Sequence, residues 1–161
     1  MAASPARRPG RRLPARLVLL AAPLLLAACG SITMSAPPAT PTDFAGIVGR
    51  LAVAKISVDA YASGDAGCSD PDLVPSAISF HAQGLDQATP VKLYLYVFRD
   101  AGAFGKHLAQ VGPCAAAWVT DPSTFDEIDQ SPFVLAGQGP WSSKFKAALR
   151  SVLAAAAGTG G

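Results

Sequence analysis

The stretch VKLYLYVF, Val91–Phe98, constrains the fold more than any other part of the chain. Successive side chains of a strand point to opposite faces of a sheet. Tyr94, Tyr96 and Phe98 would share one face, leucines the other, and Lys92 is the only charged residue in the run. A strand that is apolar or aromatic on both faces belongs at the centre of a sheet.

The flanking segments supply the remaining elements. Phe44, Ile47, Val48 and Leu51 recur at i, i+3, i+4 and i+7, one face of a helix that Thr42 or Asp43 can cap. KISVDAY alternates Ile56, Val58 and Ala60 against Ser57, Asp59 and Tyr61, the period of a half-buried strand. ASGDAGCSDPD is rich in turn residues and reads as a loop. SAISFHA is a strand with Ile78 and Phe80 opposite Ser79 and His81, and QGLDQATP reads as a hairpin connection. After the central strand, Asp100 can cap a helix carrying Phe104, Leu108 and Val111 on one face. Gly112 and Pro113 interrupt that helix before CAAAWV resumes it. TFDEID and PFVLAG are short strands around a turn near Gln130–Pro132. The final segment, from Trp141, is an amphipathic helix with Phe145, Leu149, Val152 and Leu153 inward and Lys144, Lys146 and Arg150 outward. Pro140 suits its first turn and Gly158 its stop. This order predicts a small single α+β domain over residues 43–161. It is a mainly antiparallel sheet of about five short strands with helices packed on one face.

The first 28 residues have a different character. Arg7, Arg8, Arg11, Arg12 and Arg16 precede an uncharged run, LVLLAAPLLLAA, at Leu17–Ala28. As a helix that run is about 18 Å long, short of the roughly 30 Å hydrocarbon layer. A positive start, a short apolar middle and small residues at the end describe an export signal. The run closes on Leu26-Ala27-Ala28-Cys29, which resembles the lipobox of bacterial lipoproteins. The resemblance covers the leader only. It implies cleavage before Cys29, attachment of lipid to that thiol, and a domain anchored to the cell membrane or outer envelope on its extracytoplasmic side. The other reading of these residues is an ordinary secretory signal with an incidental cysteine. The paired arginines leave Sec and twin-arginine export both open. Residues 29–42, uncharged after the cysteine and containing Pro37, Pro38 and Pro41, read as an extended tether.

The leader also changes what charge implies. The whole chain carries +2, but after residue 28 there are eight bases against eleven acids, a net of −3. A basic nucleic-acid footprint is therefore excluded for the domain. With Cys29 assigned to lipid and the domain exported, Cys68 and Cys114 remain as an even pair in an oxidising compartment and are expected to form a disulfide.

Motifs for chemistry are sparse. GQGPW, with Gly137, Gln138, Gly139 and Trp141, sits between a strand and a helix. It is the first candidate for a recognition patch, set against a plain strand-to-helix turn. Tyr94 and Tyr96 are the second candidate, a binding face if helices leave it uncovered and core if they do not. His81 and His107, the only histidines, form no HxH or HxxxH pair, and Asp65, Asp70 and Asp72 lack the EF-hand spacing. The Asp126–Asp129 cluster, DEID, reads as a solvated acidic edge rather than an acid–base pair. No metal, cofactor or catalytic residue is assigned. The expected function is a membrane-anchored, non-catalytic binding module of the cell envelope. Its expected partners are membrane lipid through Cys29 and an envelope protein or small ligand. An envelope enzyme using His81 or His107, possibly a hydrolase, and a structural or assembly lipoprotein are the alternatives.

Overall fold

The computed structural model describes residues 44–158. Cys29 with its expected lipidation, the expected tether and the Thr42/Asp43 cap lie outside them. The described chain folds as α1 (Phe44–Val53), β1 (Ile56–Ser63), β2 (Ala77–Gly84), β3 (Gln87–Val97), α2 (Ala101–Ala116), β4 (Phe125–Gln130), β5 (Phe133–Gln138) and α3 (Ser143–Ala157). The five strands form one sheet in the order β1-β2-β3-β5-β4, antiparallel at every pairing. This is the expected α+β architecture, and β3 is indeed central.

The helices do not share one face. On one side, Phe80, Leu93, Leu95, Ile128 and Leu135 pack against Ile47 and Leu51 of α1 and Phe145, Leu149, Val152 and Leu153 of α3. On the other side, Tyr94, Tyr96, Phe98, Val134 and Ala136 pack under Val111, Cys114 and Ala115 of α2, joined by Ala66 and Leu73 of the β1–β2 connection. The physical reason is the alternation of β3 itself. Tyrosines as large as these expose too much apolar surface to stay uncovered, and α2 closes over them.

Three local features also depart from expectation. Pro113 lies inside an unbroken α2. The buried Val111, Cys114 and Ala115 hold the last turn to the sheet, and this packing outweighs the missing N–H. In β1 the period-two pattern fails at a bulge. Ala60, at φ 50°, and Tyr61 together oppose Phe80, and Tyr61 turns to meet Phe44 with ring centres 5.8 Å apart. The β2–β3 connection is tighter than QGLDQATP suggests. Gly84 pairs with Gln87, so only Leu85 and Asp86 form the turn.

That turn does a second job. Helix α3 starts at Ser143 rather than around Pro140, and Ser142 makes no side-chain cap. Instead Asp86 Oδ2 accepts from Lys144 N at 3.0 Å and Oδ1 from Phe145 N at 2.9 Å, while Gln87 Oε1 accepts from Ser142 N at 3.1 Å. The first N–H groups of a helix have no partner within it. Here a hairpin nearly sixty residues earlier supplies one, which ties α3 to the sheet.

Candidate functional site

The connection between β1 and β2 is pinned at four points. Tyr96 Oη donates to Ala66 O at 2.6 Å, and Gly64 N donates to Ala77 O at 2.8 Å. Leu73 is fully buried. Cys68 is disulfide-bonded to Cys114 of α2, with Cα atoms 5.2 Å apart, as expected for these two cysteines. Gly67 sits at φ 78°, and a Cβ there would come within 3.2 Å of the Tyr94 ring and 3.3 Å of Cys114 O. Only glycine allows both the left-handed backbone and the close approach.

Asp65 organises the polar side of this loop. Its Oδ1 accepts from Gly67 N at 3.1 Å, and its Oδ2 from Ser79 Oγ at 2.7 Å and Lys92 Nζ at 2.9 Å. Burial pushes the Asp65 carboxyl up, but the hydrogen bonds from Lys92, Ser79 and Gly67 together hold it below the usual carboxylate range. A lowered acid contributes stability above its ordinary pKa and loses it as pH falls through the depressed value. Lys92 is pushed the other way, upward, first by its hydrogen bond to Asp65 and against the cost of burial. Its ammonium lies 4.9 Å from the centre of the Tyr94 ring.

These groups border a groove of about 700 Å³ lined by Asp65, Gly67, Cys68, Ser69, Lys92, Tyr94, Ala117 and Trp118. Trp118 follows the end of α2 and is 75% exposed. The chain beyond it is held by Thr120 N donating to Gln138 Oε1 at 3.1 Å. Gln138 in turn bonds Thr124 Oγ1 and the Gly139 carbonyl. The result is an open groove bordered by an indole, a phenol, an ion pair and a disulfide.

The residues singled out from sequence separate here. Tyr94 lines the groove although it is only 4% exposed, and Gln138 supports the groove's rim. Tyr96 is fully buried beneath the loop, so it is core rather than an uncovered face. Gly137 and Gly139 serve close packing: a Cβ would come 2.4 Å from Lys92 O and 2.1 Å from Thr124 O respectively. Trp141 is 5% exposed and belongs to the α1/α3 core, so it presents no flat surface patch. Its Nε1 donates to Gln138 O at 3.0 Å and its backbone N to Asp126 Oδ2 at 2.8 Å. The sequence reading missed Asp65, Lys92 and Trp118 as a group. One signal was available: a single lysine in an otherwise apolar central strand requires a partner.

The DEID cluster also divides. Asp126 pairs with Lys146 and caps Trp141 N on the α3 side. Glu127 lies on the opposite face from Ile128, half-buried, with its Oε2 about 3.1 Å from where a Cβ on Gly112 would stand. Burial raises the Glu127 carboxyl to about 7, aided by the hydrogen bond and charge of Asp129. His81 is exposed, with Nδ1 3.7 Å from Asp59 Oδ1, and His107 stacks on Phe98 with ring centres 6.1 Å apart. Neither histidine lines the groove. Among the described residues, no group of three or more His, Cys, Asp or Glu is arranged to hold a metal ion, and no helix is long and apolar enough to cross a membrane.

No family model matches the chain, and no curated protein or solved structure is significantly similar to it.

Proposed function

We propose that this chain is an extracytoplasmic lipoprotein, anchored through Cys29, whose domain is a non-catalytic binding module of the cell envelope. Its ligand or partner rests in the groove between the Asp65–Lys92 pair and Trp118. One observation carries the binding reading. A large indole is left 75% exposed beside a groove whose lining is tied down by a disulfide and by the hydrogen bonds of Asp65 and Tyr96. Exposing a tryptophan forgoes burial worth roughly 2–3 kcal/mol, and tryptophans are concentrated at recognition hot spots. Preorganised walls reduce the ordering cost of binding. The Cys68–Cys114 bond accords with an oxidising compartment, and the arginine-rich leader ending at Cys29 supports export and anchoring.

Two measurements test this. Mass spectrometry of the native protein is expected to find acylated Cys29 as the first residue; a retained arginine leader or an unmodified thiol overturns the anchor. A photo-crosslinking amino acid at position 118, in the native envelope, is expected to yield a discrete adduct that is absent when the crosslinker is placed at exposed Val53. No adduct at 118, or the same adducts from both positions, overturns the binding role of the groove.

A further inference from the structure

The chemistry of the groove narrows what it holds, and this step rests on the binding role just proposed. From the balance of charge, hydrogen-bonding capacity and exposed ring surface, we infer that the groove is a site for a neutral carbohydrate, with a pyranose ring stacked on Trp118.

Charge comes first. Among the described residues, Lys92 and Asp65 are the only charged ones lining the groove, and their opposite charges meet at 2.9 Å. The groove is therefore neutral. An anionic ligand would have to compete with Asp65 for the ammonium, and a cationic one would meet a carboxylate whose charge is already paired with Lys92 and which also accepts from Gly67 and Ser79. Neither a phosphate nor a basic group is the natural occupant.

The remaining hydrogen-bonding capacity is that of a polyol site. An ammonium has three donors. One on Lys92 is committed to Asp65 and a second is drawn to Tyr94, which leaves a donor for a ligand. Ser69 contributes a hydroxyl that can donate or accept. Sugar hydroxyls can both donate and accept, so they match such a mixed rim. The other wall is the flat, exposed indole of Trp118 beside Ala117. A pyranose ring presents the matching pair of surfaces: an apolar C–H face for the indole and an edge of hydroxyls for the polar groups. The volume of about 700 Å³ accommodates roughly two or three such rings.

An extended peptide fits less well. Peptides recognised as added strands need a free sheet edge. The groove stands over β3, whose two edges are already occupied by β2 and β5. The free edges belong to β1 and β4.

The test uses the full chain in detergent micelles, titrated with cellohexaose, maltohexaose and chitohexaose. Matched arms use sulfated oligosaccharides and an uncharged hexapeptide. Binding is read by tryptophan emission and by calorimetry. At least one neutral oligosaccharide is expected to give a saturable change in emission. Trp118→Ala should weaken it about tenfold or more, the size of a hot-spot loss. Lys92→Met should weaken it less, and the sulfated arm should bind no more tightly than the neutral one. Trp118 is exposed, so far-UV circular dichroism and melting of Trp118→Ala are expected to match the parent, which separates lost binding from lost fold. If the position-118 crosslink forms in the envelope but no neutral saccharide binds, or the peptide or sulfated arm binds more tightly, the carbohydrate assignment falls while the binding role stands. If no crosslink forms and no arm binds, both fall together.

Discussion

The two faces of the sheet solve the same burial problem by different means. The α1/α3 face is closed by two helices, and its interior is leucine, isoleucine, phenylalanine, valine, alanine and one tryptophan. The α2 face has one helix for a sheet of the same width. The gap is filled by the irregular β1–β2 connection, held by a disulfide, by the part-buried Asp65–Ser79 contact and by the buried hydrogen bond from Tyr96. A helix pair seals a sheet. A single helix with a stapled loop leaves a seam, and the groove with Trp118 lies along that seam. If the groove binds as proposed, stability and recognition fall on opposite sides of one sheet.

The largest effect should come from the sealed face. Phe145 is fully buried between α3 and the sheet, and Phe145→Ala is expected to cost about 3–5 kcal/mol in denaturant unfolding. It should leave ligand contact at Trp118 intact at temperatures where the variant is folded. Loss of binding in the folded variant would show that the two faces are coupled. Next in size is the staple. Replacing Cys68 and Cys114 together with serine is expected to cost roughly 2–4 kcal/mol, because the bond closes a long loop. Unlike Phe145→Ala, it should also weaken crosslinking from position 118, since Cys68 forms the groove's edge.

A smaller effect concerns pH. Glu127 on the α2 face is an acid whose carboxyl is raised to about 7 in the folded chain. The folded state therefore holds a proton that the unfolded state releases near the ordinary glutamate value. Its contribution is fully present below that ordinary value and is lost as pH rises through about 7. Glu127→Gln is expected to flatten the fall in melting temperature between pH 5 and 8. The gain at pH 8 should be on the order of 1 kcal/mol, because the group is half-exposed and partly screened. An unchanged pH profile would place the titration elsewhere. The smallest effect on stability should be that of Trp118→Ala, within about 0.5 kcal/mol, as for an exposed side chain outside the core. A large loss there would mean that Trp118 supports the loop instead of facing a ligand.

Much of the architecture was legible. The 3.6-residue spacing of Phe44, Ile47, Val48 and Leu51, and of Phe145, Leu149, Val152 and Leu153, identified two helices and their inward faces. The period-two pattern of Ile78 and Phe80 against Ser79 and His81 gave β2 its orientation, and both hairpins fell where turn residues cluster. The site was far less legible. Tyr94 and Gln138 were singled out and do border or support the groove, but Gly137, Gly139 and Trp141 belong to packing. Asp65, Lys92 and Trp118 come from three separate segments, and no local spacing joins them. Pro113 read as a break because local preference was the only term in view, and the bulge at Ala60 left no mark in the alternation of apolar residues.

What the sequence determined alone were properties carried by neighbours along the chain: which segments are helix or strand, which strand is central, and which side of each helix is apolar. These follow from backbone periodicity and side-chain size within a few residues. Long-range packing alone set which face of the sheet α2 covers, that Asp86 caps a helix far along the chain, and that a carboxylate, an ammonium and an indole share one groove. Each of these depends on contacts between segments dozens of residues apart. Burying the tyrosine face of β3 draws α2 and the disulfide-tied loop together, and burying the leucine face brings α3 against the hairpin that carries Asp86.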